Sequence, residues 1–300
     1  MKLINEVLKK DPDYLSLLNE IERGRLPIVC TGLSLIHKAI IAASLRGHTG
    51  KRVVLITHDE ATAAELCGDI NALGLKCLNF PARDLCIGDL SGYSKEYEHK
   101  RIDTLSAVAD GAFDLLTISL DAAVQYTVKP KVLKGSRFTL KAGDSADTSE
   151  LAERLINAGY TRSQLCEGSG QFSVRGGIFD LFPVNSEKPC RIEFWGDEID
   201  SISYFDPETQ RREENADEIE ISPAAEVMFD PLKLAAKLKT EIPNPALTLK
   251  QRDILAKDAE LLENGVKIPP DRYIPLLDTM GAVFEYFGDS LLMLSESGNM

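Results

Sequence analysis

No stretch of this sequence is apolar for long enough to cross a bilayer; the best runs, residues 26–30 and 53–56, are strand-sized. The opening MKLINEVLKKDPDYLSLL mixes charges with apolar residues at helical spacing and offers no small-residue cleavage site, so it does not read as a signal peptide. The expected address is cytoplasmic. Six cysteines are scattered without a CxxC pair or a histidine at metal-ligand spacing, and the four histidines are unclustered. Metal catalysis therefore has no support, and buried free thiols are expected. Basic residues are also scarce: 34 against 47 acidic gives a net charge of −13. That balance argues against wrapping nucleic acid unaided, because phosphate contacts need a local excess of lysine and arginine. One basic stretch stands out, Lys129, Lys131, Lys134, Arg137 and Lys141, with no acid between them. A solvated linker and a lysine-guarded edge strand explain it better than a DNA footprint.

What is present is an ordinary globular composition, 44% hydrophobic and 27% charged, on a chain long enough for two or three compact units. After a helical stretch over 1–25, strands are predicted at 26–31, 53–57, 75–80 and 114–120, with helices at 35–45, 59–73 and 95–109 between them. Alternating strands and helices imply a parallel sheet covered on both faces. The character changes near Val128. A strand at 137–141 and a helix at 148–158, capped by Asp147 or Thr148, lead into short strands: QFSVR, IFDLFP, CRIEFW and IDSISYF, separated by turn residues. In the first of these Phe172 and Val174 alternate with Gln171, Ser173 and Arg175, as in a half-buried strand. This reads as an antiparallel α+β unit over residues 129–212. Beyond Arg212 the composition turns acidic, two helices follow at 231–239 and 249–263, and 290–294 reads as a buried strand. A chain stopping so soon after a core strand is expected to be a piece of something longer. The fold class expected is α/β: a parallel-sheet, degenerate P-loop-like domain (1–128 and 213–300) interrupted by an inserted α+β antiparallel-sheet domain (129–212).

The first predicted strand and helix are placed like a phosphate-binding loop. Such a loop needs glycines for close backbone approach, a lysine for the phosphate oxygens and Ser or Thr for Mg²⁺. Residues 30–38, CTGLSLIHK, offer one glycine and no Gly-Lys-Ser/Thr, and Lys38 falls inside the helical pattern. Only Glu296 follows the last strand where an acidic pair would hold the metal. No ATP, Mg²⁺ or other cofactor is expected on this chain, and no catalytic residue is assigned.

Residues 159–183, GYTRSQLCEGSGQFSVRGGIFDLFP, followed by RIEFWGDEIDSISYFDPETQR, resemble the UvrA-binding domain shared by UvrB and the bacterial transcription-repair coupling factors. The whole chain resembles the UvrB-like front end of these proteins, in which one α/β domain is interrupted by the UvrA-binding domain. UvrB keeps an intact phosphate loop and a tyrosine-rich hairpin; here the loop is degenerate. The stretch 80–101, with Tyr93 and Tyr97, is closer to the shorter coupling-factor form, so the coupling-factor branch fits better. The resemblance implies a non-catalytic module that docks UvrA to recruit nucleotide excision repair to stalled RNA polymerase. ATP-driven translocation on DNA and polymerase binding would belong to later domains. The alternatives are a UvrB-like damage-binding domain or an active DNA-dependent ATPase.

By the same resemblance, Arg162, Arg175 and Phe179 fall on positions that contribute to UvrA contact. Arg175 and Phe179 have the same parity along the run, so they would share a face unless Gly176-Gly177 intervenes. For Arg162 and Arg175 the contact reading is preferred, because arginine is seldom buried unpaired. Phe179 is left open between interface anchor and core. Trp195, the single tryptophan, is read as structural.

Overall fold

The computed structural model describes residues 1–83, 95–266 and 268–295, the Lys2 side chain excepted. The chain forms two compact units: Met1–Arg83, Thr104–Gln125 and Ala282–Met300 in the first, Asp84–Asp103 and Tyr126–Gly281 in the second.

The first unit is built on four parallel strands in the order Leu291–Leu294, Val53–Thr57, Leu115–Ser119, Cys77–Phe80. Val53–Thr57 and Leu115–Ser119 are buried at every position, as continuous apolar strands covered on both sides should be. Helices Leu35–Thr49 and Glu60–Ala72 contribute Ala39, Ala42, Leu66 and Ile70 to the core beside Val53, Leu55 and Leu115. The second helix begins where Asp59 accepts a hydrogen bond from the Thr62 amide, and the first ends at Gly50, whose φ of 69° only glycine adopts freely. The C-terminal strand joins this sheet, Val53 standing opposite Leu291.

One expected element does not form. Residues 26–31 make no strand, and Val29 is 85% exposed. Pro27 has no amide to donate to a ladder, and Gly32 follows at φ 77°. The place beside Val53–Thr57 is taken by Leu291–Leu294. The parallel architecture is present without the strand that would aim a phosphate loop.

The second unit carries a six-stranded sheet in the order Arg212–Ala216, Glu198–Phe205, Cys190–Trp195, Ile178–Leu181, Gln171–Arg175, Thr161–Arg162. Every neighbouring pair is antiparallel except the last, which is parallel. One face of the sheet is the core face. Phe172, Phe179, Leu181, Ile192 and Ile202 pack there with Leu151 and Leu155 of the helix Thr148–Asn157 and with Leu140, Ile219 and Ile221 of a two-stranded ribbon, Phe138–Lys141 with Glu218–Ile221. The Asp147 carboxylate caps that helix by accepting from the Ser149 and Glu150 amides.

The antiparallel unit therefore continues past Arg212, where a return to the α/β domain was expected. Arg212–Ala216 and Glu218–Ile221 both pair within it. Met280–Ala282 pairs with Tyr126–Val128, and helices Pro231–Glu241 and Leu249–Glu263 pack against each other. A buried ion pair ties the same unit together: Arg101 and Glu226 are both fully buried, with Nε–Oε2 at 2.7 Å and Nη2–Oε1 at 3.0 Å. Thr127 Oγ1 donates to Glu226 Oε1 at 2.5 Å, and the Glu226 amide donates to Glu98 Oε1 at 2.8 Å. The acidic tract after Arg212 is the exposed side of an edge strand, all of whose residues but Ala216 are exposed.

Candidate partner-docking surface

The signature QFSVRGGIFDLFP folds as a hairpin. Gly176 and Gly177 form a two-residue turn, Gly176 at φ 59°, so that Arg175 stands opposite Ile178 and Val174 opposite Phe179. The reversal changes which residues share a face. Phe179 lies with Val174 and Phe172 on the core side, and Arg175 lies with Ser173, Ile178 and Asp180 on the outward side. The expectation that Arg175 and Phe179 are displayed together is corrected by this turn. Phe179 is fully buried, its ring stacked on Phe172 at 5.4 Å between centroids and 4° between planes, so it is part of the core.

The face opposite the core has two rows that strand register defines; Ser173, Asp180 and Ser203 of the first are buried, and exposure is confined to the second row and the strand ends. Ser173, Asp180, Arg191 and Ser203 make the inner row across four strands, and Arg175, Ile178, Glu193 and Ser201 the row beside it. Asp180 is fully buried and holds two arginines. Arg191 donates from Nε and Nη2 at 2.7 and 3.0 Å, and Arg175 from Nη2 at 2.7 Å. Arg191 also lies over the Phe205 ring, 4.8 Å from its centroid. The Arg175 side chain remains 46% exposed while one of its nitrogens is tied to the buried carboxylate. It is a pre-set cation whose remaining donors face solvent.

Arg162 is exposed on the short edge strand and has no ion pair among the described residues. Its register partner is Phe172, which places it in the core-side row, so it leaves the sheet on the side opposite Arg175. The loop that follows it is held from below. Ser173 Oγ donates to the Gln164 carbonyl at 2.9 Å, and the Glu167 and Gly168 amides donate to Gln171 Oε1, each at 3.2 Å. Burial pushes the Cys166 thiol up to about 12, which makes it an inert part of the packing. Of the cysteines described, Cys67, Cys77, Cys166 and Cys190 are buried and Cys30 is exposed. Trp195 is not the sheet filler expected: it is 83% exposed at the end of its strand, where the chain turns through Gly196 and Asp197.

Asp180 and Arg191 were not among the residues expected at the site. A signal was available, since a lone carboxylate in the apolar run IFDLF demands a cation if that strand is buried. The basic stretch is largely absorbed by neighbours: Arg137 pairs with Glu220, Lys141 with Glu218, and Lys129 Nζ donates to the Asp278 carbonyl.

In the first unit, Lys38 sits in the first turn of Leu35–Thr49, and its Nζ donates to Ser295 Oγ at 3.0 Å. The chain ahead of that helix presents Leu33 and Leu35 around Ser34, whose hydroxyl meets His37 Nδ1 at 2.9 Å. Leucine side chains thus flank the position where a phosphate loop has bare backbone amides converging on one point. Glu296 and Tyr93 lie outside the described residues; Tyr97 is half exposed. No group of His, Cys, Asp or Glu among the described residues is arranged to hold a metal, and none of the helices searched is long and apolar enough to cross a membrane.

The UvrB interaction domain family matches residues 138–227, the span of the ribbon, the helix and the six-stranded sheet with the turn after them. A transcription-repair-coupling factor from Bacillus subtilis (strain 168) is 30% identical over 278 residues, 88% of this chain and 24% of that protein. One from Staphylococcus aureus (strain USA300) is 28% identical over 310 aligned residues, 99% of this chain and 26% of that protein. The chain thus spans about a quarter of the length of these curated relatives. A UvrB interaction domain thus lies inside a chain that is similar, over most of its length, to the amino-terminal regions of bacterial transcription-repair-coupling factors.

Proposed function

We propose that this chain is a non-catalytic docking module that recruits UvrA through the outward face of its antiparallel sheet. In a full-length coupling factor it would bring nucleotide excision repair to stalled RNA polymerase. The observation that carries the reading is the half-exposed Arg175, fixed by the buried Asp180. An arginine already held in one geometry loses little entropy on docking, and its free donors suit a carboxylate on the partner. Arg162, exposed on the adjoining edge strand, would extend the contact around the sheet edge. ATP binding, translocation, and contacts with RNA polymerase and DNA are assigned to other parts of the full-length protein, and the place of action to the cytoplasm. The net charge of −13 and the lack of a Gly-Lys-Ser/Thr run in residues 30–38 support that division.

The test is a binding titration with purified UvrA from the same source at moderate salt. Arg175→Ala is expected to cost about 2 kcal/mol, roughly thirtyfold in affinity, with the melting temperature nearly unchanged. An Arg162→Ala, Arg175→Ala double variant that binds like the parent would remove the docking site from this sheet.

A further inference from the structure

We infer that Trp195 is the apolar anchor of the docking face, inserting into a hydrophobic cleft of the protein partner beside the acidic group that meets Arg175. This rests on the docking reading and extends it to a residue that neither family position nor sequence pattern assigned. Three observations carry it. Trp195 has the same parity as Arg191 and Glu193 on its strand, so it belongs to the outward face that displays Arg175. Register links the residues between them: Arg175 stands opposite Ile178, Ile178 opposite Glu193, and Trp195 lies two positions on from Glu193. With strands about 4.8 Å apart and about 3.4 Å of rise per residue, arginine and indole anchor points are on the order of 12 Å apart. That separation fits well within one partner's share of a standard interface.

The third observation is the manner of display. Trp195 is 83% exposed, yet its strand is paired with both neighbours, and Trp195 itself stands opposite Glu198 across a tight turn with Gly196 at φ 64°. A rigid backbone holding out a side chain with two rotatable angles gives a large contact area at low entropy cost. Ile178, 37% exposed in the adjoining row, continues the apolar surface toward Arg175. Arg212 borders it: it donates to Ser201 Oγ at 3.5 Å and lies 3.6 Å from Glu193 Oε2, so the charged groups nearest the indole are engaged with one another. The chemistry favours a protein partner over nucleic acid. Glu193 stands next to the patch and Glu198 directly opposite the indole, and both would repel phosphate.

Because Trp195 is the single tryptophan, biosynthetic 5-fluorotryptophan places one ¹⁹F probe at the site. On adding UvrA, the resonance should shift or broaden and become shielded from a soluble paramagnetic quencher. In parallel titrations followed by sedimentation, Trp195→Ala should weaken binding at least tenfold without lowering the melting temperature, and Trp195→Phe should retain most of the affinity. If Arg175→Ala loses binding while Trp195→Ala does not and the ¹⁹F signal is unmoved, the anchor is overturned and the docking reading stands. If the parent chain does not bind UvrA, both fall. A concentration-dependent dimer abolished by Trp195→Ala, or a ¹⁹F shift produced equally by single-stranded DNA, would overturn the assignment to a heterologous protein partner.

Discussion

The Arg175 guanidinium donates to the Asp180 carboxylate at 2.7 Å, the arginine half exposed and the carboxylate fully buried. Asp180 thereby joins the interior of the sheet to its displayed face, because it also neutralises Arg191. Asp180→Asn keeps the shape and removes the charge. It should cost roughly 3 kcal/mol of stability, the low end for breaking a buried pair, since both arginines retain some contact with water. Below its melting transition the variant should also bind UvrA several-fold more weakly, because Arg175 is no longer held. Chemical denaturation and a binding titration on the same sample separate the two effects. Unaltered affinity would show that the clamp serves stability alone.

Phe179→Ala tests the correction made by the hairpin. With the ring fully buried on Phe172, the substitution should lose about 3–5 kcal/mol of stability. Any folded fraction should bind UvrA with near-parent affinity. A stable Phe179→Ala protein with impaired docking would restore the ring to the interface.

His99 should make the stability of the second unit fall with acid. Burial, reinforced by the nearby Lys95, pushes its imidazole down from 6.5 to about 4. Between those values the unfolded chain takes up a proton that the folded one refuses, so folding stability rises with pH through this window and is fully present above 6.5. The contribution lost on acidification approaches about 3 kcal/mol at pH 4. Urea unfolding followed from pH 7 to pH 4 should show this slope, and His99→Gln should flatten it. An equal slope in the variant would place the proton uptake elsewhere.

Lys38 should be dispensable for chemistry. The chain is expected to hydrolyse no ATP above background, and Lys38→Met should leave that background unaltered. Loss of the bond to Ser295, on a half-buried site, should lower stability by no more than about 1 kcal/mol. Turnover abolished by the substitution would reverse the reading of residues 30–38.

The α/β class, the alternation of elements and the antiparallel signature were legible because they rest on period and composition. Val53–Thr57 and Leu115–Ser119 announce themselves as unbroken apolar strands, and Asp147 as a helix cap. Residues 26–31 look like a strand by the same standard, yet an apolar run containing Pro27 forms one only if a neighbour accepts it, and the C-terminal segment has that place. The face of Phe179 was undecidable from parity because two glycines can either continue a strand or reverse it. Asp180 and Arg191 are eleven residues apart in sequence, and only strand pairing brings them within 2.7 Å. The limits of the antiparallel unit were misjudged for a similar reason. Acidic composition marks solvent exposure, and Arg212–Ala216 is an exposed edge that is still part of the sheet.

The Arg101–Glu226 pair bears on how much of this chain can live apart from the rest. The family match, 138–227, includes Glu226 but neither Arg101 nor Thr127 nor Glu98, the groups that surround its carboxylate and amide. Excised along those limits, the domain would carry one carboxylate designed for the interior with its counter-charge left behind. A fragment that also keeps segments 95–103 and 126–128 retains these bonds and should be the more stable of the two, although neither segment lies within the family match.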